Sequence, residues 1–251
     1  MDSILFPDNV VTLSIDVGGS GIKGALLDAR GEMISERVRI DTPYPCPPSR
    51  LVETLVEFSK NFAGFDRMSV GFPGLVRDGR IYLIPSLSRI ELEGEYSPEL
   101  AQMWHGHDLE SHLATAFPVP VCLANDADVQ GCAVIQGSGL EFVVTLGTGV
   151  GTALFWDGTL LPHFELGHAP FRKGESFEQQ LGNAARKDVG KERWAGRVRK
   201  AIDTYDSFLH ADHIYIGGGN ARLLDDIELP TKVTVVSNAA GILGGIKIWD
   251  R

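Results

Sequence analysis

The stretch IDVGGSGIKGALLD, Ile15 to Asp28, constrains the fold of this chain more than any other segment. It completes an alternating run, VVTLSIDV, that reads as a strand. Its Gly19-x-Gly21-x-x-Gly24 spacing is that of a dinucleotide-binding loop, and Asp41 stands about where a ribose-binding acid would be. Such a loop must pass from a strand directly into a helix, so that the helix N-terminus meets the pyrophosphate. Here the glycines lead into ALLDARGEMISERV, with a turn at Arg30-Gly31 and strand alternation beyond it, so the segment reads as a β-hairpin. A Walker A loop fails too, because no Gly-Lys-Ser/Thr follows at its spacing. Gly18, Gly19 and Gly21 are expected to allow positive φ and close approach of backbone N–H groups to an anion.

The pattern recurs. LGTGVGT, Leu146 to Thr152, again sits between two strand-like runs, and IGGGN, Ile216 to Asn220, follows a third. Three glycine turns after strands in separate segments are hard to explain by turn geometry alone. Between them, SRLVETLVEFSKNFAGF has helical spacing with Ser49 as its N-cap, and RMSVGFPGLV reads as a strand into a Gly/Pro loop. Positions 85 to 106 read as irregular and polar. HDLESHLATAF is a helix, VPVCLAND a short buried strand ending in acids, and ADVQGCAVIQG is helical again. GKERWAGRVRKAIDTYDSFLH is a long amphipathic helix with Trp194, Val198, Ile202 and Tyr205 on one side. KVTVVS is a strand and NAAGILGGIKIW a closing helix.

With 251 residues, 43 % of them hydrophobic, the chain can bury a core as one large domain or two modest ones. MDSILFPDNV lacks the basic and apolar regions of a signal peptide, and the longest apolar run is broken by Gly and Thr. Cys46, Cys122 and Cys132 have no metal-like spacing and fit a reducing compartment, so the expectation is a cytoplasmic protein without a membrane partner. The net charge of −10 argues against nucleic-acid binding. Arg186 to Lys200 is the exception, with seven Lys/Arg against two acids. That cluster is either an anion-binding surface or the wet side of the long helix.

The two glycine hairpins and the third turn resemble those of the sugar kinase, actin and Hsp70 superfamily, in which two hairpin loops clasp phosphates across a cleft. The ordered set DVGGSGIKG, GFPG, LANDAD, LGTGVG and ELGH resembles the ROK family of sugar kinases over about residues 12 to 247. The resemblance implies an α/β, two-lobed, ribonuclease H-like fold with a cleft between the lobes. The N-terminal lobe would cover 1–121 with a C-terminal helix, 239–251, returning to it, and the C-terminal lobe 122–238. The first strand begins by about residue 10, so the helix-turn-helix of ROK repressors is not expected. Most members carry clustered zinc-binding cysteines just after Glu-x-Gly-His. Here APFRKGESFEQQ holds none, as in the polyphosphate glucokinase subgroup, so no zinc is expected. The family often forms homodimers, a state the resemblance leaves open for this chain.

Carried over residue by residue, the resemblance makes Asp126 the general base that takes a proton from a sugar hydroxyl, or, more blandly, a cap of the following helix. Gly74, Asn125, Asp126, Glu165, His168 and Glu178 would bind the sugar. Gly18, Gly19, Ser20 and Gly21 in the first hairpin, Thr148 and Gly149 in the second, and Gly218 and Gly219 in the third turn would meet phosphate or nucleotide. Asp16 would hold Mg²⁺ through water or cap its turn, and Lys23 would face phosphate or be a solvated strand residue. The family commonly has an Asn in the loop after the Pro-Gly strand. Here the segment is IPSLSRIELEGEYSPEL, with Ser86 and Ser88 and a longer insert, so the sugar stays open. His105, His107 and His112 beyond it read as surface residues rather than a metal site.

The implied reaction is phosphoryl transfer from polyphosphate and/or ATP to the 6-hydroxyl of glucose. The same fold also suits an ATP-dependent kinase for mannose, N-acetylmannosamine or fructose, or a non-catalytic sugar-binding protein. A polyphosphate user needs extra cations beyond the reacting phosphate, and Lys187, Lys191, Arg193 and Arg197 are the candidates.

Overall fold

The computed structural model describes residues 6–224, 227–236 and 244–249. The chain divides into two compact units, Met1–Val129 with Gly241–Arg251, and Gln130–Ala240. Among the described residues no helix is long and apolar enough to cross a membrane.

The first unit contains β1 (Thr12–Val17), β2 (Ile22–Leu27), β3 (Val38–Ile40), α1 (Pro48–Ser59), β4 (Arg67–Phe72), β5 (Leu75–Arg77), β6 (Arg80–Leu83), α2 (Pro98–Trp104), β7 (His107–Asp108), α3 (Leu109–Ala116) and β8 (Val121–Asn125), and the boundary falls within α4 (Asp126–Cys132). Its main sheet runs β3-β2-β1-β4-β8, with β1, β4 and β8 parallel and β2 and β3 antiparallel. β4 is buried along its whole length, as expected of a strand covered on both faces. Leu51, Leu55 and Phe58 of α1 pack with Leu13, Ile15 and Val70 in one core.

The second unit contains β9 (Leu140–Leu146), β10 (Val150–Trp156), β11 (Thr159–Leu160), β12 (Pro170–Arg172), β13 (Glu175–Ser176), α5 (Phe177–Leu181), α6 (Asn183–Val189), α7 (Lys191–Leu209), β14 (His213–Gly217) and β15 (Val233–Val235). Its sheet, β11-β10-β9-β14-β15, repeats the plan of the first: a hairpin of antiparallel strands, then parallel neighbours. Trp194, Val198, Ile202 and Tyr205 of α7 are buried against this sheet's Phe142 and Ile214.

Several boundaries differ from the sequence reading. β8 pairs with β4, so the first unit extends through Val129 rather than ending at residue 121. Helix α1 starts at Pro48 with Pro47 as N-cap and no side-chain cap, so Ser49 is already helical. Proline suits that first position because the N–H it lacks would have no intrahelical acceptor. The segment expected to be irregular holds α2, whose N-cap Ser97 accepts the Leu100 N–H at 3.3 Å. Residues 238–243 of the expected closing helix lie outside the described residues, and Gly244–Trp249 is 3₁₀. Trp249 Nε1 donates to Ser69 Oγ on β4 at 2.8 Å, and Ser69 in turn donates to the Gly245 carbonyl, which fastens this segment to the first sheet.

Candidate functional site

The parallel register of the first sheet gathers several of the candidates. Asp16 of β1 pairs with Gly71 of β4, Gly71 with Ala124 of β8, and Phe72 with Asn125. The C-terminal ends of three neighbouring strands therefore carry Asp16, the Phe72-Pro73-Gly74 loop and Asn125-Asp126 side by side. Loops at the carboxyl ends of parallel strands are where open α/β sheets bind ligands.

The hairpin between β1 and β2 has an unusual hydrogen-bond polarity. Thr42 Oγ1 donates to the Gly18 carbonyl at 2.6 Å, Tyr44 Oη to the Gly19 carbonyl at 2.8 Å, and Arg39 Nη2 to the Ser20 carbonyl at 2.9 Å. Gly18 N–H closes the turn on the Gly21 carbonyl at 3.0 Å, while the N–H groups of Gly19, Ser20 and Gly21 meet no acceptor among the described residues. Carbonyls tied back with amides left available describe an anion cradle. Positive φ was expected at Gly18, Gly19 and Gly21, yet none of them has it. Close approach matters at two of them: a Cβ on Gly18 would lie 3.0 Å from the Gly21 carbonyl and one on Gly19 3.2 Å from Ser86 Cβ, whereas a Cβ on Gly21 would meet only the exposed guanidinium end of Arg39. Gly24 serves packing alone, since its Cβ would meet the Phe58 ring at 2.8 Å. Lys23 Nζ lies 3.6 Å from Asp16 Oδ2 across the hairpin. Burial pushes the Asp16 carboxyl above its ordinary range, against the pull of Lys23.

Asn125 is buried, and its amide is bonded to backbone: Nδ2 donates to the Gly74 carbonyl at 2.9 Å and Oδ1 accepts the Ala127 N–H at 2.7 Å. It thereby ties the Pro-Gly loop to the start of α4. Asp126 Oδ1 accepts the same Ala127 N–H at 2.8 Å, which orients the carboxylate. A Cβ on Gly74 would lie 2.3 Å from the Leu83 carbonyl, so the glycine lets this loop press against the end of β6.

In the second unit, Thr148 is exposed at the tip of the β9–β10 hairpin. Its turn is braced from two sides: the Asn183 N–H donates to the Gly147 carbonyl at 3.0 Å, and Asn220 Nδ2 donates to the same oxygen at 3.2 Å. Gly218 has φ +85 and runs so close to Leu146 that a Cβ would lie 2.5 Å from its carbonyl oxygen, whereas Gly219 faces open space. A Cβ on Gly149 would lie 2.9 Å from Glu178 Oε2. Glu178 Oε2 lies 3.4 Å from His168 Nε2. This contact raises the His168 pKa and, with the Val150 N–H, lowers that of Glu178. His163, almost completely buried, has Nε2 3.5 Å from Glu165 Oε1. Thr148, Gly149, Gly218, Glu165, His168 and Glu178 thus share one neighbourhood around β9 and β10.

Reading the sequence misses the residues that support these groups: Arg39, Thr42 and Tyr44 behind the first hairpin, and His163, Asn183 and Asn220 in the second unit. Only the Asn220 of IGGGN stands inside a noticed motif, and His163 lies two residues before ELGH; the others lie in segments without a noticed motif.

The basic cluster lies on α6 and α7. Lys187, Lys191 and Arg193 are exposed, Arg197 Nη1 donates to the Gln180 carbonyl at 3.3 Å, and Arg186 is bonded to Asn183. His107 and His112 touch at 3.3 Å and His105 bonds to the Tyr82 carbonyl. Among the described residues no group of three or more His, Cys, Asp or Glu is placed to hold a metal ion.

The ROK family signature spans residues 12–184, from the first residue of β1 into α6. The chain belongs to the ROK family. Among its ROK relatives, the polyphosphate glucokinase of Mycobacterium tuberculosis is 28 % identical over 245 residues, covering 92 % of this chain and 88 % of that protein. The polyphosphate glucokinase of Mycobacterium leprae is also 28 % identical, covering 92 % and 72 %. The crystal structure of an inorganic polyphosphate/ATP-glucomannokinase from Arthrobacter sp. strain KM is 26 % identical, with a TM-score of 0.81 over 96 % of this chain and 99 % of that one. The fold is that of the ROK sugar kinases.

Proposed function

We propose that this ROK protein is a sugar kinase that transfers the terminal phosphoryl group of polyphosphate and/or ATP to the 6-hydroxyl of glucose. The observation that carries this reading is the first hairpin, whose carbonyls are tied back by Thr42, Tyr44 and Arg39 while its amides are left available, in the sheet whose strand β8 leads directly into Asp126. The similarity to polyphosphate glucokinases and to a polyphosphate/ATP-glucomannokinase supports both donors and makes mannose the second acceptor to try.

Asp126 is the general base. In the reaction the sugar oxygen bonds to the terminal phosphorus, the bond to the next phosphate breaks, and the hydroxyl proton passes to the Asp126 carboxylate. Amides of Gly19, Ser20 and Gly21 would hold charge that builds on the transferred group, and Thr148 and Gly149 would meet donor phosphate; such transfers depend on positioning and charge stabilisation more than on covalent help. Gly218 and Gly219 would meet the rest of the donor, and Lys23 would add a cation beside the first hairpin. Glu165, His168 and Glu178 bind sugar hydroxyls, while Asn125 acts through Gly74 and the start of α4. A Mg²⁺ ion fits Asp16, because burial makes its charge costly and magnesium needs only one or two protein carboxylates beside phosphate and water. Mg²⁺ bound there with the donor would neutralise phosphate charge.

Asp126→Asn tests the assignment. The amide keeps an oxygen for the Ala127 N–H, so the fold and sugar affinity should hold while kcat falls by about 10²–10⁴ with either donor. Retention of more than about a tenth of wild-type kcat would remove Asp126 from that role. A panel of sugars with ATP and polyphosphate side by side tests the substrates.

A further inference from the structure

We propose that the Tyr44 hydroxyl is a positioning group that couples the phosphate hairpin to the loop after β6, so that donor and sugar each strengthen the other's binding. This rests on the functional reading above and adds to it the means by which two loops of the first unit act together.

Tyr44 Oη lies 2.8 Å from the Gly19 carbonyl and 3.2 Å from the Ser86 carbonyl, so one phenolic proton serves both loops. Among the described residues Thr42 and Arg39 bond to the hairpin and not to the β6 loop, whereas Tyr44 bonds to both. The loops are in direct contact, for a Cβ on Gly19 would lie 3.2 Å from Ser86 Cβ, and the buried Ser86 Oγ beside this junction makes no hydrogen bond among the described residues. From Ser86 the contacts continue inward. The Leu83 carbonyl at the end of β6 abuts Gly74, the Gly74 carbonyl accepts from Asn125, and Asn125 shares the Ala127 N–H with Asp126. An anion that orders the Gly19 amide therefore acts on the carbonyl of the same loop, then through Tyr44 on the loop that backs the Pro-Gly turn and the base. Burial, with Cys46 nearby, pushes the Tyr44 phenol above its ordinary pKa, so it remains a donor at neutral pH. Packed segments held by a shared hydrogen bond shift together rather than independently.

Tyr44→Phe removes the hydroxyl and keeps the ring that packs against the first core. The test is calorimetric binding of glucose to the whole chain, alone and with a donor that cannot transfer, imidotriphosphate or the imido analogue of ATP. In the wild type the donor should tighten glucose binding by about fivefold or more, and in Tyr44→Phe the factor should fall to within about twofold of unity. Thr42→Val, which removes a hairpin bond that does not reach Ser86, should weaken the donor and leave the factor unchanged. A wild-type factor of one, or the same factor in Tyr44→Phe as in the wild type, overturns the coupling role while the kinase reading stands. A wild type that binds neither glucose nor either donor overturns the kinase reading and this inference with it.

Discussion

Glu178→Gln isolates the contribution of one charge to the second unit. Glu178 Oε2 and His168 Nε2 are 3.4 Å apart, with side chains 42 % and 37 % exposed. Water screens a pair this open, so its contribution to stability is about 0.2–1 kcal/mol rather than that of a buried ion pair. One kcal/mol corresponds to about 2–4 °C in Tm for a protein of roughly this size. Glutamine keeps the length and an oxygen for the Val150 N–H, so the loss is that of the charge. Contact with Glu178 raises the His168 pKa above 6.5, and this part of the stabilisation is full below 6.5 and fades as pH climbs through the raised value. Contact with His168 lowers the Glu178 pKa below 4.5, and that part is full above 4.5 and fades as pH falls through the lowered value. Wild type should therefore exceed Glu178→Gln most between 4.5 and 6.5 and converge with it on either side. Thermal unfolding of both proteins from acid to alkaline pH, with NMR titration of the His168 ring, measures this. A Tm difference independent of pH or largest at alkaline pH would refute the pairing, as would a His168 midpoint unchanged by the substitution.

Two further outcomes follow from the packing and the charge map. Gly24→Ala should destabilise the first unit by about 1–3 kcal/mol in denaturant unfolding, because the new methyl meets the Phe58 ring at 2.8 Å; an unchanged midpoint would show that the ring moves freely. Replacing the exposed Lys187 and Arg193 by alanine should raise KM for long polyphosphate by about threefold or more while leaving KM for ATP nearly unchanged, and more so at low salt. Equal effects on both donors would return the cluster to the role of a solvated helix face.

Local pattern in the sequence determined much of this protein. Alternation around Gly18–Gly21 and Gly147–Gly149 distinguishes a hairpin from a dinucleotide turn because strand and helix periods differ within a few residues. The spacing of Trp194, Val198, Ile202 and Tyr205 marks the buried side of α7 for the same reason. The ordered motifs placed the chain among the ROK proteins before any contact was known.

Tertiary structure alone decided which roles the residues hold in space. Gly24 looks like part of a phosphate fingerprint and proves to be the seat of Phe58, a residue 34 positions later. Asn125 also ties the Pro-Gly loop to the start of α4, donating to the Gly74 carbonyl 51 positions earlier. β8 belongs to the first sheet because it pairs with β4, and Tyr44 matters because it touches Gly19 and Ser86, 25 and 42 positions away. A periodic signal arises from neighbours along the chain, whereas these partnerships depend on how strands are ordered and loops meet, which no local window of sequence contains.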